Sequence, residues 1–224
     1  PNTVYSYLHG ATGEYLAQTG TTQVIGGMGA FGQSLATAAE KNGAQLKLGS
    51  AVTAIVKTND RVTGVTLASG EEISAKLVIS SADPSTTFRR LLGYHQMEAG
   101  MAKRAEHYRS RSGTAKLHLA LSALPSFTGV NDAQLAERLV ITPSMDGMET
   151  ALNPTKYREL SNLHTFDISI PTVEDPALAP SGQHILSAIV HYVPYAPDIG
   201  WEAGKPQLMH QLLSELEAYA PGIS

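Results

Sequence analysis

Two tight turns in quick succession constrain this chain more than any other feature. Asn59-Asp60 and Ser69-Gly70-Glu71 interrupt runs of strand-forming residues: Val52-Thr53-Ala54-Ile55-Val56 before the first, Val62, Val65 and Leu67 between them, and Ile73 after the second. A short turn of the Asn-Asp kind joins neighbouring antiparallel strands, because its residues tolerate the positive φ that matches hairpin twist. The segment therefore reads as a three-stranded meander. Ala44-Gln45-Leu46-Lys47-Leu48 is expected to form a strand ahead of it, and Leu77-Val78-Ile79 to complete its third strand.

Helices flank the meander. The cluster Gly26-Gly27-Met28-Gly29 opens a stretch in which Phe31, Leu35, Ala38 and Ala39 recur at helical spacing, and Gly43 sits where a C-terminal cap belongs, so a helix is predicted over 30–42. Asp83-Pro84 predicts a second helix start, with Asp as cap and Pro in the first turn; it would carry Phe88, Leu91 and Leu92 and end near Gly93. Further on, 96–109 reads as a polar helix. The stretches 114–121, 164–170 and 184–193 alternate like half-buried strands. The proline content of 171–182 argues against any regular element there. A closing amphipathic helix, with Pro206 near its start, spaces Leu208, Leu212, Leu216 and Tyr219 and stops at Pro221-Gly222. The fold class is α+β.

Composition removes several functions. Sixteen Lys and Arg stand against twenty Asp and Glu, and the pI is about 6.1, so nucleic acid is not an expected partner. The absence of cysteine excludes disulfides, thiolate metal sites and cysteine nucleophiles. No apolar run reaches the about 18 residues of a membrane helix, and the first residues lack the pattern of a secretory signal. The expected location is cytoplasmic, with membrane association of the parent protein left open. Pro1 and Ser224 read as boundaries of a piece.

Histidines invite a metal or acid–base reading, but their spacing opposes it. His184 and His191 are an odd number of residues apart and fall on opposite faces of a strand, as do His164 and Asp167. His118 stands alone among apolar strand neighbours. No metal site is expected, and no G-x-S-x-G elbow supports a serine hydrolase. No catalytic residue is assigned.

Gly27-Met28-Gly29-Ala30-Phe31-Gly32 fits the dinucleotide pattern G-x-G-x-x-G. A true fingerprint follows a buried strand and is followed about 20 residues later by an acidic residue. Here Thr21–Ile25 is short and polar, and the count lands near Val52 and Thr53. The glycines are expected to serve close backbone packing at a helix start.

An ordered set of segments resembles the phytoene-dehydrogenase-like oxidoreductases over about residues 20–224. It comprises the glycine-led helix from Gly26, Arg61-Val62-Thr63-Gly64-Val65, Leu77-Val78-Ile79-Ser80-Ser81-Ala82-Asp83-Pro84, Asp175-Pro176-Ala177-Leu178-Ala179-Pro180, His191-Tyr192-Val193-Pro194-Tyr195 and Glu217-Ala218-Tyr219-Ala220-Pro221-Gly222. Within that group the similarity is to the branch of pyridine nucleotide-disulfide oxidoreductase domain-containing protein 2. The resemblance implies a fragment of a glutathione-reductase-like FAD/NAD(P)-binding fold with an antiparallel-sheet substrate domain. Residues 1–25 would be a lead-in belonging to the substrate domain, 26–88 part of the FAD-binding domain, and 89–224 the substrate domain.

The implied cofactor is FAD, held by the parent protein and not by this piece, which lacks the family's opening strand–GxGxxG–helix unit and its closing glycine-rich segment. Val52 matches the residue whose peptide group meets the adenine edge, and Ser81 and Ala82 lie where small residues allow close approach to a phosphate or ribose. The implied reaction is dehydrogenation of a mostly apolar small molecule, by a piece inactive alone. A stand-alone binding or interaction module and an amine-oxidase-type flavoenzyme are the alternatives.

Overall fold

The computed structural model describes residues 24–108 and 113–224. The expected lead-in over 1–25 lies, but for its last two residues, outside the described residues. Helix α1 spans Gly27–Lys41, starting within the glycine cluster, and the backbone leaves it through Gly43 at φ +88°. A three-stranded antiparallel sheet follows: β1 (Val52–Thr58), β2 (Arg61–Leu67) and β3 (Glu72–Ser74), in that order. Asn59 and Asp60 both take positive φ (49° and 60°), the conformation that lets the chain reverse. Ile55 and Leu67 are the buried apolar residues of this meander.

Gly64 on β2 is required by the close passage of β3. A Cβ there would lie 2.2 Å from the carbonyl oxygen of Ile73. The register shifts by one residue between Val52 and Ala54, where β1 carries the extra residue, and again between Val56 and Lys57, where the extra residue is Thr63 of β2.

Two expected strands are absent. Residues 44–48 and 77–79 are irregular; Leu48, Leu77 and Ile79 are 91%, 73% and 86% exposed. Their residue types suit strands, but strand structure requires a neighbour for the backbone N–H and C=O groups, and among the described residues none lies beside them. The helix predicted after Asp83 forms as a π-helix over Ser85–Leu92, and Gly93 at φ 83° ends it. Asp83 Oδ1 accepts the Thr86 N–H at 3.0 Å, the capping role its position suggests. Helix α2 (Ala99–His107) is the expected polar helix.

The second sheet has four antiparallel strands in the order β4–β7–β6–β5: β4 Thr114–Leu121, β5 Leu139–Ile141, β6 Phe166–Ser169 and β7 His184–His191. Its packed face presents Leu117, Phe166, Ile168, Leu186, Ala188 and Val190 to Leu208, Leu212 and Leu216 of the closing helix. Those leucines recur every four residues, forming one stripe. The closing helix is α4 (Gly200–Glu217), which starts well before Pro206; α3 (Met145–Lys156) precedes β6. The proline-rich 171–182 segment holds two short 3-10 turns, Pro171–Val173 and Pro176–Leu178, rather than no element at all.

The described residues fall into two compact units: those of Ala36–Arg111, and those of Pro1–Leu35 together with Ser112–Ser224.

Candidate functional site

The unit built on the meander carries a cavity of about 380 Å³ that is open to solvent on one side, within the ~300–1,000 Å³ of small-molecule sites. Ile55 of β1, Val62 of β2 and Phe88 and Leu92 of the π-helix supply its apolar wall. Ser80, Ala82 and Thr87 supply its polar edge. A π-helix holds its turns more loosely than an α-helix and recurs at functional sites; here it brings Thr87, Phe88 and Leu92 to one lining.

The polar edge is largely satisfied within itself. Thr87 Oγ1 donates to the Ala82 carbonyl (3.2 Å), which leaves the Ser80 hydroxyl to donate to Thr87 Oγ1 (2.7 Å), while the Ala82 N–H donates to Ser80 Oγ (3.3 Å). Both hydroxyl protons are thus committed, and the edge has only acceptor lone pairs to spare. Such a cavity suits a flat, mainly apolar group better than a phosphate.

Of the residues singled out from sequence, Ala82 lines this cavity. Ser81, beside it, is exposed and outside the lining. Val52 lies at the start of the edge strand β1, 38% exposed, just before the bulge. The structure therefore joins Ala82 to Ser80 and Thr87, which sequence reasoning did not single out; the Ser80–Thr87 spacing gave no signal without the π-helix.

The residue just before the glycine motif is bonded within the protein itself. The Gly26 N–H, at the start of α1, donates to Asp175 Oδ2 at 2.7 Å, and Asp175 Oδ1 accepts the Ala177 N–H at 3.2 Å. Asp175 is 5% exposed. An internal carboxylate thus sits close to the N-terminus of α1, the helix end that favours an anion. Among the described residues no group of His, Cys, Asp or Glu is arranged to hold a metal.

The histidines divide as the strand parity requires. His164 is buried on the packed face, where its Nδ1–H and backbone N–H both donate to the Glu215 carboxylate of α4 (2.6 and 3.0 Å). Asp167 turns the other way and accepts both arms of the Arg138 guanidinium, which raises the arginine pKa above its ordinary value. His184 Nδ1 shares a hydrogen bond with the Thr172 hydroxyl (3.1 Å), whose oxygen also accepts the Ile185 N–H (3.2 Å).

A three-stranded meander with an adjoining helix-lined cavity, together with a separate antiparallel sheet backed by a helix, defines an α+β architecture. The fold matches an oxidoreductase from Methanosarcina mazei with a TM-score of 0.62 at 22% identity, over 89% of this chain and 40% of that one. Residues 19–207 match the model of the FAD dependent oxidoreductase family, and the chain belongs to that family.

It is 30% identical to the rat pyridine nucleotide-disulfide oxidoreductase domain-containing protein 2, over 99% of this chain and 40% of the relative. It is 28% identical to the neurosporene-forming phytoene desaturase of Cereibacter sphaeroides, over 91% of the chain and 39% of the relative. It is 32% identical to the chloroplastic prolycopene isomerase of Daucus carota, over 75% and 25%. The resemblance to phytoene-dehydrogenase-like enzymes therefore stands, and the chain spans at most about 40% of the length of these relatives. No described helix is long and apolar enough to cross a membrane.

Proposed function

We propose that this chain is an internal stretch of a larger FAD-dependent dehydrogenase acting on a mostly apolar small molecule. The match to the FAD dependent oxidoreductase family over 19–207, joined to coverage of 40% of a full-length relative, carries the reading. The relatives named for phytoene and prolycopene support an apolar substrate.

In this reading residues 26–88 are part of a glutathione-reductase-like flavin domain and 89–224 belong to the substrate domain. The bare side chains agree with that. Leu48, Leu77 and Ile79, and Phe31 and Leu35 of α1 at 48% and 56% exposure, are apolar groups that a completed sheet would cover. The unpaired stretches 44–48 and 77–79 then become strands of that sheet.

Val52 offers its peptide N–H and C=O at a free strand edge to the adenine rim, and Ala82, with Ser81 next to it, allows the ribose to approach. The cavity edge, with no hydroxyl proton to spare, serves the adenosine end and leaves the pyrophosphate to residues elsewhere. When bound, the flavin supplies the acceptor for a hydride leaving a substrate C–H bond; the residues here bind, orient and exclude water.

The piece alone therefore turns nothing over. The test is flavin content: the isolated chain is expected to purify colourless, and the chain joined to its flanking sequence to carry about one FAD per polypeptide. A yellow isolated chain with stoichiometric FAD would refute the reading.

A further inference from the structure

The four-stranded sheet has a second face, opposite the packed one, and its cross-strand register sets side chains on it in rows. His118 of β4 lies opposite Ser187 of β7, which lies opposite Ser169 of β6. One step along, Lys116 faces Ile189, and Ile189 faces Asp167. In the other direction Ala120 faces Ile185. Directly opposed residues share a face with Cβ atoms ~5 Å apart, so His118 and Ser187 are immediate neighbours; Lys116 follows His118 on the same face of β4, diagonal to Ser187, and Ile185 and Ile189 flank Ser187 on β7.

These groups are open. Lys116, His118 and Ser169 are exposed, and Ile185, Ser187 and Ile189 half-buried. Asp167, the anion of this face, is already neutralised by Arg138. Among the described residues Lys116 makes no ion pair, and neither the His118 ring nor the Ser187 hydroxyl has a hydrogen-bond partner. A lysine on an edge strand alone would be read as a guard against edge pairing. Here it stands beside two further donors, with its local counter-charge spoken for.

We infer that this open face binds an apolar chain ending in a carboxylate: the carboxylate meets Lys116, His118 and Ser187, and the chain runs over Ile185 and Ile189. This deepens the proposed reading, on which it rests for the apolar character of the substrate, by adding one anionic oxygen group, a feature a pure hydrocarbon lacks. Charge complementarity selects the head group; burial of CH₂ groups on the isoleucines supplies the rest.

The test uses the whole chain, isotope-labelled, titrated with decanoate and with decanol below their aggregation limits. Decanoate is expected to shift signals of Lys116, His118 and Ser187 and to bind at least about tenfold tighter than decanol, with a preference that shrinks as salt is added. Lys116→Gln with His118→Gln, both at exposed positions, is expected to reduce decanoate to the level of decanol. Equal affinity for the two compounds, salt-independent preference, shifts confined to other residues, or no binding of either would each overturn the inference. Flavin content plays no part in this readout, so failure here is distinguishable from failure of the FAD reading.

Discussion

The Asp175 carboxylate accepts the Gly26 N–H at 2.7 Å, tying the start of α1 to a turn 149 residues further along the chain. The same carboxylate accepts the Ala177 N–H, and Leu178 of that turn lies in van der Waals range of where a Gly27 Cβ would be. The bond ties the glycine cluster to the turn that precedes β7 of the four-stranded sheet.

Asp175→Ala leaves two N–H groups without their acceptor, and unsatisfied groups of this kind cost ~1–3 kcal/mol. Denaturant unfolding is expected to show a loss in that range, with Asp175→Asn, which keeps one acceptor oxygen, losing less. Amide exchange at Gly26 should accelerate in the alanine variant. In the unsubstituted chain, ADP should leave the Gly26 amide signal unmoved; a saturable shift there would mean that phosphate can displace the carboxylate.

Gly64 admits no side chain. With a Cβ only 2.2 Å from the Ile73 carbonyl oxygen, Gly64→Ala must push β2 and β3 apart, and overpacking of this kind costs ~1–3 kcal/mol or more. The expected outcome is faster proteolytic cleavage within Ala36–Arg111, with the four-stranded sheet unaffected. Gly70→Ala, at a turn φ of +87° with nothing within 4 Å, incurs backbone strain alone and should be milder.

The sheet carrying the proposed carboxylate face was legible in the sequence because its long strands alternate. Residues 114–121 form β4, and His184 opens β7 as its pattern suggests. Short elements were not legible: β5 has three residues, and α3 carries Gly147, Asn153 and Pro154, which mask a helical pattern. The strands expected at 44–48 and 77–79 failed for a different reason. Alternation and β-branching describe a residue's fitness for a sheet, but pairing depends on a neighbour that only tertiary structure supplies. The site was harder still. Ala82 could be picked out as a small residue, whereas the contacts of Ser80 with Thr87 and of Asp175 with Gly26, and the pairing of His118 opposite Ser187, are set by helix type, chain path and strand register.

The pair of buried His164 and half-buried Glu215 pins α4 to the residues just before β6. Glu215→Ala would leave the His164 Nδ1–H and backbone N–H without an acceptor beside an Nε2 that already has no partner among the described residues. A loss of ~2–4 kcal/mol in unfolding free energy is expected. His164→Phe combined with Glu215→Leu removes donor and acceptor together and should recover part of that loss. If the double variant were as unstable as the sum of the singles, the two residues would not be coupled.

The C-terminal turn is closed by Glu217, whose carboxylate accepts the Gly222 N–H (2.6 Å), the Ser224 hydroxyl (2.8 Å) and the Ser224 N–H (3.3 Å). The Gly222 bond first, and then the Ser224 hydroxyl, hold the Glu217 pKa below its ordinary value. A carboxylate whose pKa is lower when folded than when unfolded stabilises the folded form above the ordinary glutamate range. That contribution is lost as pH falls through the lowered value. Acidification should therefore free the Gly222 and Ser224 amides while the buried Leu216 and Ala220 stay protected. Ile223, which packs against the core, should follow the two amides. Amide exchange followed across the acid range checks this, and Glu217→Gln is expected to show the loosened turn already at neutral pH, with no further acid response at Gly222.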